Sequence, residues 1–187
     1  MCEKKADLLA EFNQCVTLLS EYSLPEWGEL PGLDLYMDQV VEVVNSYISV
    51  LKPFMGDGSE VTKAMINNYV KLKMMPAPEK KKYSRVHIAY IIIICILKQA
   101  LNISTIQKLI PVDISETQAE SIYTSFVKNQ KKAYQYVAEM ATGVAEPILS
   151  NESDNPDRMN DLMFQTAASA NVLKGLSEKL IDKGKSC

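Results

Sequence analysis

Lys63, Asn67 and Lys71 recur four residues apart, with Asn68 beside them, in a stretch whose apolar residues are Ile66, Tyr69, Val70 and Met74. On a helix that spacing sets the polar side chains along one stripe and turns the apolar set to the opposite side. Asn at two adjacent mid-helix positions is unfavourable relative to Ala by a few tenths to about 0.7 kcal/mol each. A face with no task would more often carry Glu, Ala or Gln. Asn pairs bidentately with adenine in the major groove, and Lys neutralises phosphate. The competing reading is a short helix whose Asn residues only solvate its surface.

The charge around this stripe is lopsided. Residues 1–61 hold three Lys against eleven acids, residues 62–85 hold six Lys and one Arg against Glu79 alone, and residues 86–187 hold ten bases against eleven acids. A short segment of net +6 in a chain of net −3 is a local footprint for a polyanion. Besides the helix lysines it contains Lys73, Lys80, Lys81, Lys82, Tyr83 and Arg85. A lysine-rich solvated loop is the plainer alternative.

Other chemistries are thinly represented. The four cysteines, Cys2, Cys15, Cys95 and Cys187, form no CxxC pair, and one histidine, His87, cannot make a zinc cluster or an HExxH site. GDG at Gly56 to Gly58 lacks the Lys and Ser/Thr of a phosphate loop. No residues are spaced as a catalytic constellation, so no enzyme, cofactor or metal is expected. The longest apolar run, Ala89 to Leu97, is nine residues, against the roughly 20 that span a bilayer. With no secretory h-region at the N-terminus, the expectation is a cytoplasmic protein without a membrane partner.

The elements that must position these residues are mostly helices. Residues 3–22 carry Leu8, Leu9, Phe12, Cys15, Val16, Leu19 and Tyr22 at helical spacing, and the Pro- and Gly-containing tract from Ser23 to Gly32 is a connector. Asp34 is expected to cap a second helix, from Leu35 through Leu51, that stops at Pro53. Thr62 caps a third, which stops before Pro76. Pro76 and Pro78 force an extended excursion or small hairpin. Ser84 caps a buried helix reaching about Leu101, and Ser104 with Gln107 forms a capping box for a short one ended by Pro111. Ser115 with Gln118 opens a long helix whose inward side carries Ile122, Phe126, Ala133, Val137, Met140 and Val144, with Gly143 and Pro147 weakening or kinking its end. After the loop at SNESDNPDR, Met159, Leu162, Met163, Ala167, Ala170, Leu173, Leu176 and Leu180 mark a last helix, their stripe being core or dimer seam. The fold expected is all-α, with a helical hairpin over 115–183.

Thr62 to Ile110 resembles the DNA-binding head of the MerR family, where a helix reading TIRYYE leads through a Leu-Leu-Pro turn into a wing ending R-x-Y-S. Met65 and Ile66 stand for its Thr-Ile, Tyr69 for its second Tyr, and Met74, Met75 and Pro76 for the turn. Tyr83 and Ser84 match the wing's end, and Ser104, Ile106 and Leu109 loosely match the last short helix. Over roughly Leu30 to Ala133 the chain is also identified as a member of a bacterial family of domains of unknown function, family eighteen thirty-six. The strings carrying that membership are LDLYMDQV, TKAMINNYVK, KKYSRVHIA and LKQALNIS.

The resemblance implies a winged helix-turn-helix at 33–112, preceded by a helix and connector at 1–32. A C-terminal hairpin at 113–187 would serve dimerisation or an effector. The MerR pattern has Arg where this chain has Asn67 and Gly where it has Lys73. That leaves phosphate binding to Lys63, Lys71, Lys73, Lys80, Lys81, Lys82 and Arg85, and base reading to Asn67 and Asn68. The function so implied is a double-stranded DNA-binding transcription regulator acting as a homodimer. A protein-interaction module on the same scaffold and, ranked last, a small-molecule-binding or enzymatic helical domain are the alternatives.

Some residues carry two readings. His87 is a phosphate donor or, favoured, a surface or half-buried helix residue. Trp27 is a partner anchor or, favoured, a pin between loop and core. Cys95 is a small core residue. At least one of Tyr134 and Tyr136 must face solvent or an interface, and Lys131 with Lys132 belongs to a solvated face.

Overall fold

The computed structural model describes residues 2–56, 60–149 and 156–184. Among them the chain is almost entirely helical: α1 (Cys2–Glu21), α2 (Met37–Ile48), α3 (Lys63–Lys71), α4 (Arg85–Leu97), α5 (Ile103–Leu109), α6 (Glu116–Leu149) and α7 (Pro156–Gly184). Two short strands, β1 (Leu35–Tyr36) and β2 (Lys82–Tyr83), pair antiparallel. Part of the GDG turn, the loop at 150–155 and the side chains of Leu8, Val144, Met159 and Leu162 lie outside the described residues.

Two compact units make up the chain: residues 24–129 with the end of α7 from Glu178, and residues up to Ser23 with 130–177. The division departs from the sequence-based boundaries because the connector and the first turns of α6 pack with α2–α5. Trp27 is buried, tilted against Tyr123 with ring centroids 6.1 Å apart, and the Tyr123 hydroxyl donates to the Pro25 carbonyl at 2.9 Å. The Trp thus pins the connector.

The core of the first of these units is α4. Its residues from His87 to Cys95 are all buried, as a helix that is apolar on every side must be. Val40, Val44 and Ile48 of α2, Ile66 and Tyr69 of α3, and Ile106 of α5 join it. Tyr90 donates its hydroxyl to the Pro111 carbonyl. His87 is buried, not surface or half-buried as its helical position suggested.

Several expected boundaries are corrected. Leu35 and Tyr36 do not begin a helix after Asp34; they form β1, because residues far along the chain offer a strand partner. α2 starts at Met37, where the Tyr36 N–H donates to Gln39 Oε1 at 2.9 Å, and a 3-10 turn over Ser49–Phe54 carries the chain on through Pro53. α4 ends at Leu97, and α5 is capped by Asn102 rather than Ser104: Asn102 Oδ1 accepts from the Thr105 N–H at 2.9 Å. The Ser115–Gln118 capping box forms, its two backbone N–H groups each reaching the other residue's side-chain oxygen. α6 continues past Gly143 and Pro147 to Leu149.

In α6 the buried stripe is offset from the expected one. Ala119, Tyr123, Val127, Gln130, Ala138 and Ala145 are buried, while Ala133 is exposed. Within the second unit Tyr22 and Tyr134 stack at 6.3 Å, and Tyr136 faces solvent. The α7 stripe is not core: Met163, Leu173, Leu176 and Leu180 are all exposed, and so are Ala167 and Ala170. Part of it faces α6 across a cleft of about 510 Å³ that Val137, Met140, Thr166, Ala170 and Leu173 help to line.

Candidate nucleic-acid interface

α3 is held at both ends. Upstream, Asn45 of α2 exchanges two hydrogen bonds with the Val61 backbone, donating through Nδ2 to its carbonyl at 3.0 Å and accepting its N–H through Oδ1 at 2.8 Å. Thr62 then caps the helix, its hydroxyl oxygen accepting from the Met65 N–H at 3.3 Å. Ile66 and Tyr69 point into the core, so Lys63, Asn67, Asn68 and Lys71 are left together on the exposed side.

The helix stops at Lys71, short of the expected Met74. The Lys73 N–H bonds the Val70 carbonyl at 3.0 Å and the Met74 N–H the Tyr69 carbonyl at 2.9 Å, with Lys73 at φ 54°. This is a Schellman motif with lysine at the position where glycine is usual. Met74 and Met75 drop into the core, and Gln107 of α5 donates Nε2–H to the Leu72 carbonyl at 2.7 Å. Gln107 thereby satisfies one of the carbonyls that a helix end leaves open.

The excursion after Pro76 is a hairpin. Lys82 N–H donates to the Glu79 carbonyl at 2.8 Å, with Lys80 at φ 48° and Lys81 at φ 65° between them. Two consecutive left-handed residues make a type I′ turn, for which Asn-Gly is the usual sequence. Left-handed backbone costs an L-residue with a Cβ roughly 1–2 kcal/mol. Among the described residues, every non-glycine residue at positive φ is a lysine of this basic stretch: Lys73, Lys80 and Lys81.

The β1–β2 ribbon ties the hairpin to the start of α2, in the register Leu35 opposite Tyr83 and Tyr36 opposite Lys82. Tyr83 faces inward and is buried, its ring edge-on to His87 at 5.5 Å. Outward, Lys82 Nζ lies 5.5 Å from the Tyr36 ring centroid, a cation–π distance.

His87 completes the junction. Its Nδ1 accepts the Ser84 N–H at 3.0 Å and lies 2.9 Å from Ser84 Oγ, closing a capping box at the start of α4. Burial pushes its pKa down, and the Ala77 carbonyl and the carboxylates of Asp34 and Glu79 only partly oppose this. A neutral imidazole buried under Tyr83 has no reach to a phosphate.

Of the ten residues singled out from sequence, eight are exposed: Lys63, Asn67, Asn68 and Lys71 on α3, Lys73 just past its end, and Lys80, Lys81 and Lys82 on the hairpin. The other two are held apart from them. Tyr83 is core, and Arg85 turns back to the connector, its guanidinium 5.7 Å from the Trp27 ring centroid and against Gly32. Lys63 is also engaged, in an ion pair with Asp38 of α2. Sequence reading missed Gln107 as the support for the end of α3, and missed Tyr36 on the ribbon. The alternation of Leu33, Leu35 and the β-forming Tyr36 was the available signal for a strand.

Among the described residues no group of three or more His, Cys, Asp or Glu side chains could hold a metal ion. No helix there is long and apolar enough to cross a membrane.

Comparison with known proteins assigns a family to the greater part of the chain. No curated protein and no solved structure matches the chain. The sequence profile described as "Domain of unknown function (DUF1836)" matches residues 25–137, from the Trp27 connector through α2–α5 into α6. More than half of the sequence, including every element that positions the basic surface, is thus accounted for by one family, and the chain belongs to DUF1836.

Proposed function

We propose that the protein is a bacterial, cytoplasmic, double-stranded DNA-binding transcription regulator with no catalytic step. In this reading α3 is the recognition helix of a MerR-like winged helix-turn-helix and the 79–83 hairpin is its wing. The observation that carries the proposal is the coincidence of strain and charge. Lysines occupy three left-handed positions that glycine or asparagine would fill at lower free energy, and all three are exposed in the same basic stretch as Lys71, Lys82, Asn67 and Asn68. Strained backbone retained at a surface points to a use for the side chain there.

The mechanism has two parts. Lys71, Lys73, Lys80, Lys81 and Lys82 neutralise phosphates, and with about five such contacts log K falls with slope about −4 to −5 against log salt. Asn67 and Asn68 reach base edges and supply discrimination of about 1–3 kcal/mol per well-formed contact. Lys63 first exchanges Asp38 for phosphate, a small loss because an exposed ion pair is worth about 0–1 kcal/mol.

The uncovered apolar side chains of α7, Phe164, Val172, Leu176 and Leu180, support a homodimer in which a second copy covers them. That stripe equally favours a second reading, a protein-interaction module without DNA binding. Filter binding to duplex DNA at two salt concentrations separates the two. Replacing Lys80, Lys81 and Lys82 together with Ala is expected to flatten the salt slope by about 2 to 3. Asn67→Ala is expected to erase sequence preference while leaving the slope. Unchanged binding by the triple variant overturns the wing assignment.

A further inference from the structure

The ribbon beneath the hairpin has two faces of different character. Leu35 and Tyr83 turn inward, Tyr83 fully buried and Leu35 half-buried. Tyr36 and Lys82 turn outward as a directly opposed pair. Tyr36 is 57% exposed, and Leu33, just before the strand, is 81% exposed. The Tyr36 backbone is fixed by its bond to Gln39 and by the ribbon, and the Lys82 ammonium rests over its ring. An exposed aromatic ring therefore stands fixed beside cations: Lys82 on the ring, with Lys80 and Lys81 at the adjoining turn.

We infer that this outward ribbon face is a further DNA-contacting element, in which the Tyr36 ring packs on a deoxyribose edge of the duplex backbone while Lys82 binds the adjoining phosphate. A duplex backbone offers the matching alternation, with anionic phosphates separated by the apolar edges of the sugars. Proteins already place apolar side chains against DNA beside cationic ones, as wedges between base steps, and the sugar-phosphate backbone takes a large share of protein contacts. The inference rests on the duplex-binding reading above. It assigns Tyr36 a contact that contributes affinity without neutralising charge.

The test measures fluorescence anisotropy of a labelled random-sequence duplex of about 30 base pairs between about 50 and 200 mM salt. The proteins are the full-length wild type, Tyr36→Ala, Tyr36→Phe, Lys82→Ala and the Tyr36→Ala/Lys82→Ala double variant. Tyr36→Ala is expected to bind about tenfold more weakly with the salt slope unchanged, and Tyr36→Phe to bind as wild type, because the ring and not the hydroxyl makes the contact. Lys82→Ala is expected to reduce the slope by about 0.9, and the double variant to lose less than the sum of the singles. Tyr36→Thr, which keeps a strand-forming residue, replaces the alanine variant if melting by circular dichroism shows it unfolded. Wild-type binding with a steep salt slope that Tyr36→Ala or Tyr36→Thr leaves within twofold overturns this inference and leaves the duplex-binding reading standing. Absence of duplex binding by the wild type overturns both. Tyr36-dependent binding that is tighter to a single strand of the same length overturns the duplex assignment.

Discussion

α4 and the stretch that leads into it, residues 73–84, are neighbours in sequence and opposites in physical character. α4 is set by its surroundings and its cap: it is capped by Ser84 and His87, apolar on all sides despite four β-branched isoleucines in a row, and buried through nine consecutive residues. The preceding stretch breaks the rules in three places, with lysine in left-handed backbone at Lys73, Lys80 and Lys81. Its side chains lie outside while its anchors, Met74, Met75 and Tyr83, lie inside. Residues that resist local preference are concentrated at exposed positions, and that contrast is the basis for proposing a binding role for them.

The largest test of the contrast is in α4. Ile92→Ala, at a position with no exposed surface, is expected to cost about 3 kcal/mol within a usual range of 2–5. Urea denaturation followed by circular dichroism measures it. A loss below 1 kcal/mol would mean that α4 does not carry the core, and the contrast would fail.

A smaller effect of opposite sign is expected in the strained stretch. Lys81→Gly removes the left-handed penalty and is expected to stabilise the protein by about 1 kcal/mol, while duplex binding weakens severalfold by loss of one phosphate contact. Lys73→Gly, at the C-terminal turn of α3, is expected to behave alike. Destabilisation by both glycine variants would show that the lysine side chains serve the fold itself.

The smallest effect lies at the junction of the two regions. Burial lowers the His87 pKa below its ordinary value of 6.5, so between the folded and unfolded values the unfolded chain binds more protons. Stability therefore rises with pH through that window and falls as pH drops below 6.5. His87→Gln is expected to remove this dependence, read as melting temperature against pH. A wild-type melting temperature that is flat from pH 7 to pH 5 would remove His87 as the hinge between the two regions.

The sequence was legible where the determinant is local. Thr62, Ser84 and the Ser115–Gln118 pair cap the helices expected of them, because a cap is settled within four residues. The apolar saturation of α4 could likewise be read directly. The misreadings at Asp34 and at the candidate site are long-range, while the one at Ser104 is a choice between two neighbouring caps. Asp34 lost its role because Leu35 and Tyr36 found a strand partner nearly fifty residues on. Ser104 yielded to Asn102, whose amide oxygen serves Ser104, Thr105 and the helix end at once. At the candidate site, composition and helical spacing picked out eight residues that are exposed but could not separate Tyr83 and Arg85 from them. Burial by His87 and stacking on Trp27 decide those two, and neither contact has a signature in the local sequence.

The bond from Gln107 to the Leu72 carbonyl spans thirty-five positions of chain, and it couples the end of α3 to α5. A local opening of α5 would leave that carbonyl to water, so amide protons at the end of α3 are expected to exchange faster than those of the buried α4. On the duplex-binding reading, such an opening would loosen the hold at Lys71 and Lys73 while α4 stays intact.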